Sequence, residues 1–532
     1  MAAMESPLVL ERTHAILITL AIAVAAYLLA TPKARPLPDI PWVGKSSRLP
    51  GADTWATLAS FVNRRKWFAE GYEKYSRHGK SFIVPHPLGE KHITLPPEKL
   101  SWLLEQPDHV VSAADFHYEI LAGRYAWTDG SINQILFHEH VIHKYIVRRD
   151  SRLLAGMWDE IGTAVDELWG TSPGWHDIRV LDTSSEMILR VVNRALVGLP
   201  LCRNRDYLSH TNSFTTNVLL CTFATQLVPR FLRDIVGYAV GAPNHWHYRR
   251  CALWTLPVIR ERLGMFAQID NGSLTADGLP EDYITWHIEL ARAEGWTREL
   301  APEFIARSLM ALEFAATKTP AATLARVLLD VCGSGGQSGY IDRLRDEAEQ
   351  VFTTHNQTWS KQTLRHMAFT DSAIRESMRL TSLLFALGRK VVPAAGVPGP
   401  DKAWVAPQGS YLTINAADRH LDPALYPDPT RYDAFRFARV HEGQETTEDG
   451  LQARKMGMTS TSKDFLAFGH GRHACLGRFL VEQMLKMLLA YMLMHYDIEY
   501  LPARPPNFVL GPINVPPPKA TIKVCRKKTE VE

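Results

Sequence analysis

The sequence predicts a mainly α-helical fold carrying small β-sheets, and two observations lead there. Apolar residues recur at helical spacing through long stretches, whereas strand-like runs are short and scattered between them. Of the 532 residues 46% are hydrophobic, enough to bury a large core; length alone would allow about three or four domains.

The first element is apolar. Thr13 to Thr31 holds no Asp, Glu, Lys or Arg and is long enough to span a bilayer. Lys33 and Arg35 follow, and positive charge after a span predicts that the remainder faces the cytosol. Residues 1–31 are therefore expected to be a single-pass anchor in the endoplasmic reticulum membrane. Residues 32–45, with Pro32, Pro36, Pro38 and Pro41, are expected to be a stiff hinge. Helical patterns follow around Arg64–Tyr75, His138–Leu168 and Asp182–Leu196, then Ile341–Phe352, Lys361–Leu380 and Leu476–Tyr496. Strand-like pieces lie at Ser81–Val84, Lys91–Leu95 and Trp404–Ile414. A central helix is expected over Glu299–Leu329, where Phe304, Ile305, Leu309, Leu312, Phe314 and Leu324 keep helical spacing before the stop at Gly333-Ser334-Gly335-Gly336. Pro320 lacks an N–H and its ring clashes with the carbonyl of residue 316, so this helix is expected to open there.

A net charge of +3 excludes a dominant nucleic-acid footprint. The six cysteines have no paired or metal-finger spacing, which fits a reducing compartment. One of them, Cys475, lies in the glycine-punctuated run Phe468-Gly469-His470-Gly471-Arg472-His473-Ala474-Cys475-Leu476-Gly477, immediately before an amphipathic segment. Glycines let backbone come close to a flat ligand and aim amides at a sulfur. Such hydrogen bonds, with a helix N-terminus nearby, keep a thiolate ionised and tune an attached iron.

This run resembles the haem-binding signature of the cytochrome P450 family, with Phe468, Gly471, His473, Cys475 and Gly477 at the family's offsets. The resemblance implies that Cys475 is the axial ligand of haem b. It further implies that His473, at a position where Arg is commoner, meets a haem propionate. Glu376 and Arg379 resemble the family's buried Glu-x-x-Arg pair, and Arg436 its third member, although Ala434 and Phe435 replace the usual Pro and Glu. Arg389 sits where the family keeps a second propionate-binding Arg. Ala315-Ala316-Thr317-Lys318-Thr319 resembles the oxygen-activation motif, in which Ala315 and Ala316 leave room for dioxygen and Thr319 donates to it. The acid of that motif is here Lys318. No Trp-x-x-x-Arg pair precedes these motifs; His140 and Lys144, four residues apart, are the candidates to replace it at a propionate.

The resemblance covers the chain from about Pro41 onward and implies the cytochrome P450 fold, with residues 46–532 as one catalytic domain. It implies a monooxygenase that oxidises a hydrophobic small molecule, with electrons coming from NADPH through a separate diflavin reductase. The motifs look closest to fungal enzymes of secondary metabolism. Phe116–Trp127 and Phe214–Phe231 are candidate lining stretches. Lys318 leaves phenol coupling or desaturation open as non-oxygenating alternatives. A Cys475 nucleophile with His473 as base would leave the Glu376, Arg379 and Thr319 matches unexplained, whereas a membrane-tethered haem-binding protein without turnover stays open as a non-enzymatic alternative.

Overall fold

The structure is a computed structural model that describes residues 38–44, 52–86, 91–128, 137–145, 151–228, 230–382, 385–439, 457–510 and 513–528. Its longer helices are α1 (Ala52–Lys74), α2 (Phe137–Tyr145), α3 (Ser151–Trp169), α4 (Val180–Leu196), α5 (Arg205–Leu227), α6 (Arg230–Asp270), α7 (Tyr283–Ala293), α8 (Pro302–Cys332), α9 (Tyr340–Thr354), α10 (Ala368–Leu380) and α11 (Arg478–His495). The main sheet holds β1 (Phe82–Pro85), β2 (Lys91–Leu95), β3 (Val111–Ser112), β4 (Ala386–Val391) and β5 (Tyr411–Asn415) in the order β1-β2-β5-β4-β3. β2 and β5 run parallel, pairing Thr94 with Thr413, and the other ladders are antiparallel. Three smaller sheets complete the β content.

The main core is helical. α8 runs through it against α4, α6 and α10, and from Pro320 to Cys332 every residue of α8 is buried. That burial explains a departure from the sequence reading, because α8 passes through Pro320 without a break. Packing on all sides outweighs the lost hydrogen bond, and the local effect is a carbonyl at Ala316 with no amide four residues on.

The stretch expected as one helix over Lys361–Leu380 is two, a short turn at Lys361–Arg365 and then α10. α10 is started from outside: the Glu347 carboxylate on α9 accepts from the amides of Phe369 and Thr370 at 2.7 and 2.8 Å, satisfying donors that no local side chain caps. The helical pattern of His138–Leu168 likewise belongs to two helices, α2 and α3. Among the described residues no helix is long and apolar enough to cross a membrane. The anchor expected over residues 1–31 and most of the 32–45 hinge lie outside the described residues.

Candidate active site

The loop carrying Cys475 is a compact piece of backbone. Gly469 and Gly471 take φ of 69° and 73°, the left-handed region that costs a residue with a Cβ. A Cβ on Gly471 would also come within 3.1 Å of Leu104. The Cys475 amide donates to the Phe468 carbonyl at 2.8 Å and closes the loop, and α11 starts three residues later. This geometry aims the amides of Gly477 and Arg478 at the Cys475 sulfur, at the positive end of α11.

Cys475 is accessible, yet burial raises its thiol above the ordinary range, opposed by those two amides and by the Arg478 guanidinium. The side chain is thus open at its surface while the surrounding protein desolvates the sulfur. The two amides and the Arg478 guanidinium favour the thiolate there, and a bound cation would favour it further.

A basic cluster lies near the loop. Arg389 on β4 is 4% exposed, and its recorded hydrogen bond goes to the carbonyl of neighbouring Gly388. Burial pushes its pKa down to about 10. His117 is held at about 4 by burial and by Arg389. His473 and Arg472 both reach Asp108, at 2.9 Å. Burial works to raise the Asp108 carboxyl, but these two hydrogen bonds overcome it and hold it low. A guanidinium buried without a carboxylate hydrogen bond, beside a histidine already holding one carboxylate, suits an anionic edge of a ligand.

Behind the loop Glu376, Arg379 and Arg436 come together. Glu376 and Arg379 have fully buried side chains and pair twice at 2.8 Å; Arg436 reaches the same carboxylate at 3.0 Å. Arg379 also donates to the carbonyls of His420 and Pro429, both at 2.7 Å. His420 accepts from the Leu466 amide, two residues before Phe468, so the ion pair is tied to the approach of the cysteine loop.

On α8, Ala311, Phe314, Ala315, Ala316, Lys318 and Thr319 are accessible, whereas Leu312, Glu313, Thr317 and Pro320 are buried. The accessible positions follow helical spacing and form one stripe. Lys318 Nζ donates to Asn212 Oδ1 at 2.7 Å and Thr216 Oγ1 at 2.8 Å on α5, and burial pushes its pKa down to about 8. The acid of this stretch, Glu313, points elsewhere, accepting from Asn193 and Tyr207; burial raises it to about 8.

Residues 276–525 match the family model described as Cytochrome P450. The cytochrome P450 monooxygenase polB of Polytolypa hystricis is 31% identical over 89% of this chain and 90% of its own length, and gloP of Glarea lozoyensis is 29% identical over 89% and 88%. The chain belongs to the cytochrome P450 family. A solved structure of a retinoic acid-bound cyanobacterial P450, CYP120A1, superposes with a TM-score of 0.63 at 17% identity, covering 92% of this chain and 100% of that one.

As a P450 the chain is an oxidoreductase that works with haem on a cysteine thiolate, and the donor set fits that group. Cys475 offers the sulfur with two amides, and Arg389 offers a buried guanidinium that, among the described residues, has no carboxylate hydrogen-bonded to it. The α2 candidates for a propionate, His140 and Lys144, have other neighbours in the structure. His140 packs against the Trp296 ring at 6.3 Å and Lys144 lies 4.0 Å from Glu294, both beside the end of α7. The α2 residue electrostatically coupled to Cys475 and Asp108 is Glu139, because consecutive helical residues point about 100° apart. Sequence reasoning also missed Asp108 and His117. No local motif marks either; they reach the site only through strand pairing of β3 with β4 and the fold of the helix that follows.

Proposed function

We propose that this P450 is a monooxygenase inserting oxygen into an apolar small molecule of secondary metabolism. Its electrons come from NADPH through a separate diflavin reductase, and residues 1–31 anchor it to the endoplasmic reticulum with the catalytic domain in the cytosol. The observation that carries the reading is Cys475, held at the start of α11 with the amides of Gly477 and Arg478 on its sulfur.

The haem, when bound through Cys475, supplies dioxygen activation, the thiolate favouring O–O cleavage. The chain's own residues do the rest. Arg389 and His473 would hold the propionates, and Phe468, Gly471 and Gly477 would shape the loop around the cofactor. Ala315 and Ala316 keep the face of α8 low, so a small reactant fits beside it. Thr319 holds a proton on its hydroxyl at the same face, next to the Ala316 carbonyl that Pro320 leaves without an amide donor. That free carbonyl is an acceptor for an ordered water and makes a hydrogen-bonded route past Thr319 possible. Glu376, Arg379 and Arg436 position the cysteine loop and take no part in proton transfer.

Lys318 supports a second reading. An ammonium in place of the motif's acid relays protons less readily, which favours phenol coupling or desaturation, where the product gains no oxygen atom. Turnover under isotopically labelled dioxygen separates the two: one labelled oxygen per product is expected, and unlabelled product formed equally well by Thr319→Ala would replace insertion with coupling or desaturation.

A further inference from the structure

We propose that Lys318 and Asn212 form a carboxylate-binding site, so that the substrate of this P450 is an apolar acid held by its anionic end. The proposal deepens the monooxygenase reading and rests on it.

Lys318 has three N–H donors and spends two on the neutral oxygens of Asn212 and Thr216. Among the described residues no carboxylate forms an ion pair with it, and burial is the only influence moving its pKa, with no acid pulling it back. Lys318 is partly buried, and a positive charge partly withdrawn from water with no negative partner among the described residues gains when a ligand supplies one. The third N–H is open to that ligand.

Asn212 supplies a second donor. Its Oδ1 accepts from Lys318, which leaves the adjoining NH2 of the same planar amide to donate; Asn212 is exposed, and among the described residues that NH2 makes no hydrogen bond. Thr216 spends its own proton on the Asn212 carbonyl at 2.7 Å, so it stays an acceptor toward Lys318 and fixes the ammonium against α5. An ammonium and an amide NH2 side by side match the two oxygens of a carboxylate, and neither pairs with an acid among the described residues.

The surroundings say what else the ligand carries. Phe314 lies one turn before Lys318 on the accessible stripe of α8, with Trp127 edge-on to it at 5.5 Å, and the fully buried Phe214 of α5 backs Trp127 from 6.4 Å. Ala315 and Thr319 continue the stripe. The cationic point therefore sits at the margin of an aromatic wall, next to the threonine assigned to the reaction. A hydrocarbon body on that wall with its carboxylate on Lys318 and Asn212 satisfies both.

The test uses haem-loaded enzyme and two probes of equal chain length, dodecanoic acid and methyl dodecanoate, with binding measured by calorimetry at neutral pH. Wild type is expected to bind the acid about tenfold or more tightly than the ester. Lys318→Met should bring that ratio to about twofold or less, Lys318→Arg should keep most of it, and Asn212→Leu should fall between, with no variant melting below the wild-type thermal midpoint. Equal affinity for acid and ester, no measurable binding of the acid, or a ratio unchanged in Lys318→Met each overturns the proposal. The carbon monoxide spectrum of the same preparations reports the thiolate haem independently: a missing thiolate-type band refutes the monooxygenase reading, while the acid-to-ester ratio still decides the site.

Discussion

Replacing Glu376 by Gln removes one charge from an ion pair whose two side chains are both fully buried and changes its shape very little. The Glu376 carboxylate accepts from Arg379 twice at 2.8 Å, from Arg436 at 3.0 Å and from the Asp433 amide at 3.3 Å. Neither Glu376 nor Arg379 has any exposed side-chain surface, so the variant leaves the Arg379 guanidinium in the interior with two backbone carbonyls and no counter-charge. Breaking a buried pair from one side costs about 3–5 kcal/mol, a large part of a total stability of roughly 5–15 kcal/mol. With a urea slope of about 3 kcal/mol/M, the midpoint should fall by about 1 M or more. Arg436 is the less buried partner, at 14% exposure, and keeps its neighbours' carbonyls solvated when removed, so Arg436→Ala should cost less, about 1–2 kcal/mol. Far-ultraviolet circular dichroism of the haem-loaded proteins in urea gives both midpoints. A Glu376→Gln midpoint within about 0.2 M of wild type, or a larger loss in Arg436→Ala, would show that the carboxylate does not hold the helix to the cysteine loop.

Cys475→Ala should lose the thiolate-type carbon monoxide band and all turnover; retention of either would remove Cys475 as the iron ligand. Thr319→Ala should keep haem and the band but yield less product per NADPH, the missing electrons appearing as peroxide, so unchanged coupling would dismiss the threonine from proton delivery. Deleting residues 1–31 should move the protein from the microsomal to the soluble fraction with its haem spectrum intact. Stability should fall in mild acid, since burial holds both His287 and His420 at about 3, against roughly 6.5 in the unfolded chain. Below about pH 6.5 the unfolded chain binds more protons, so stability is complete above that pH and falls as pH drops, by about 2 kcal/mol per histidine at pH 5. Urea midpoints at neutral pH and at about pH 5 check this; equal midpoints would mean that the two rings are not held neutral.

What was legible in the sequence was local in the chain. The cysteine loop could be read because glycines at 469, 471 and 477 act on backbone within a few residues, and the Glu376–Arg379 pairing because three residues bring side chains to one helical face. Helix existence followed from apolar spacing, as for α4, α8 and α11. What needed the tertiary structure was everything set by the relative rotation and register of separate elements. Pro320 reads as a break, but α8 stays whole because it is packed on every side. α10 begins where it does because a carboxylate from α9 caps it. On α2 the choice between Glu139 and the His140–Lys144 pair is a rotation of about 100°, fixed by how that helix rests on α7 and not by its own composition. The partners of Lys318 lie on α5, about a hundred residues away along the chain, and only the crossing of two helices decides that they are neutral. An unpaired charge is a property of the surrounding volume, and a linear sequence does not specify that volume until its elements are packed.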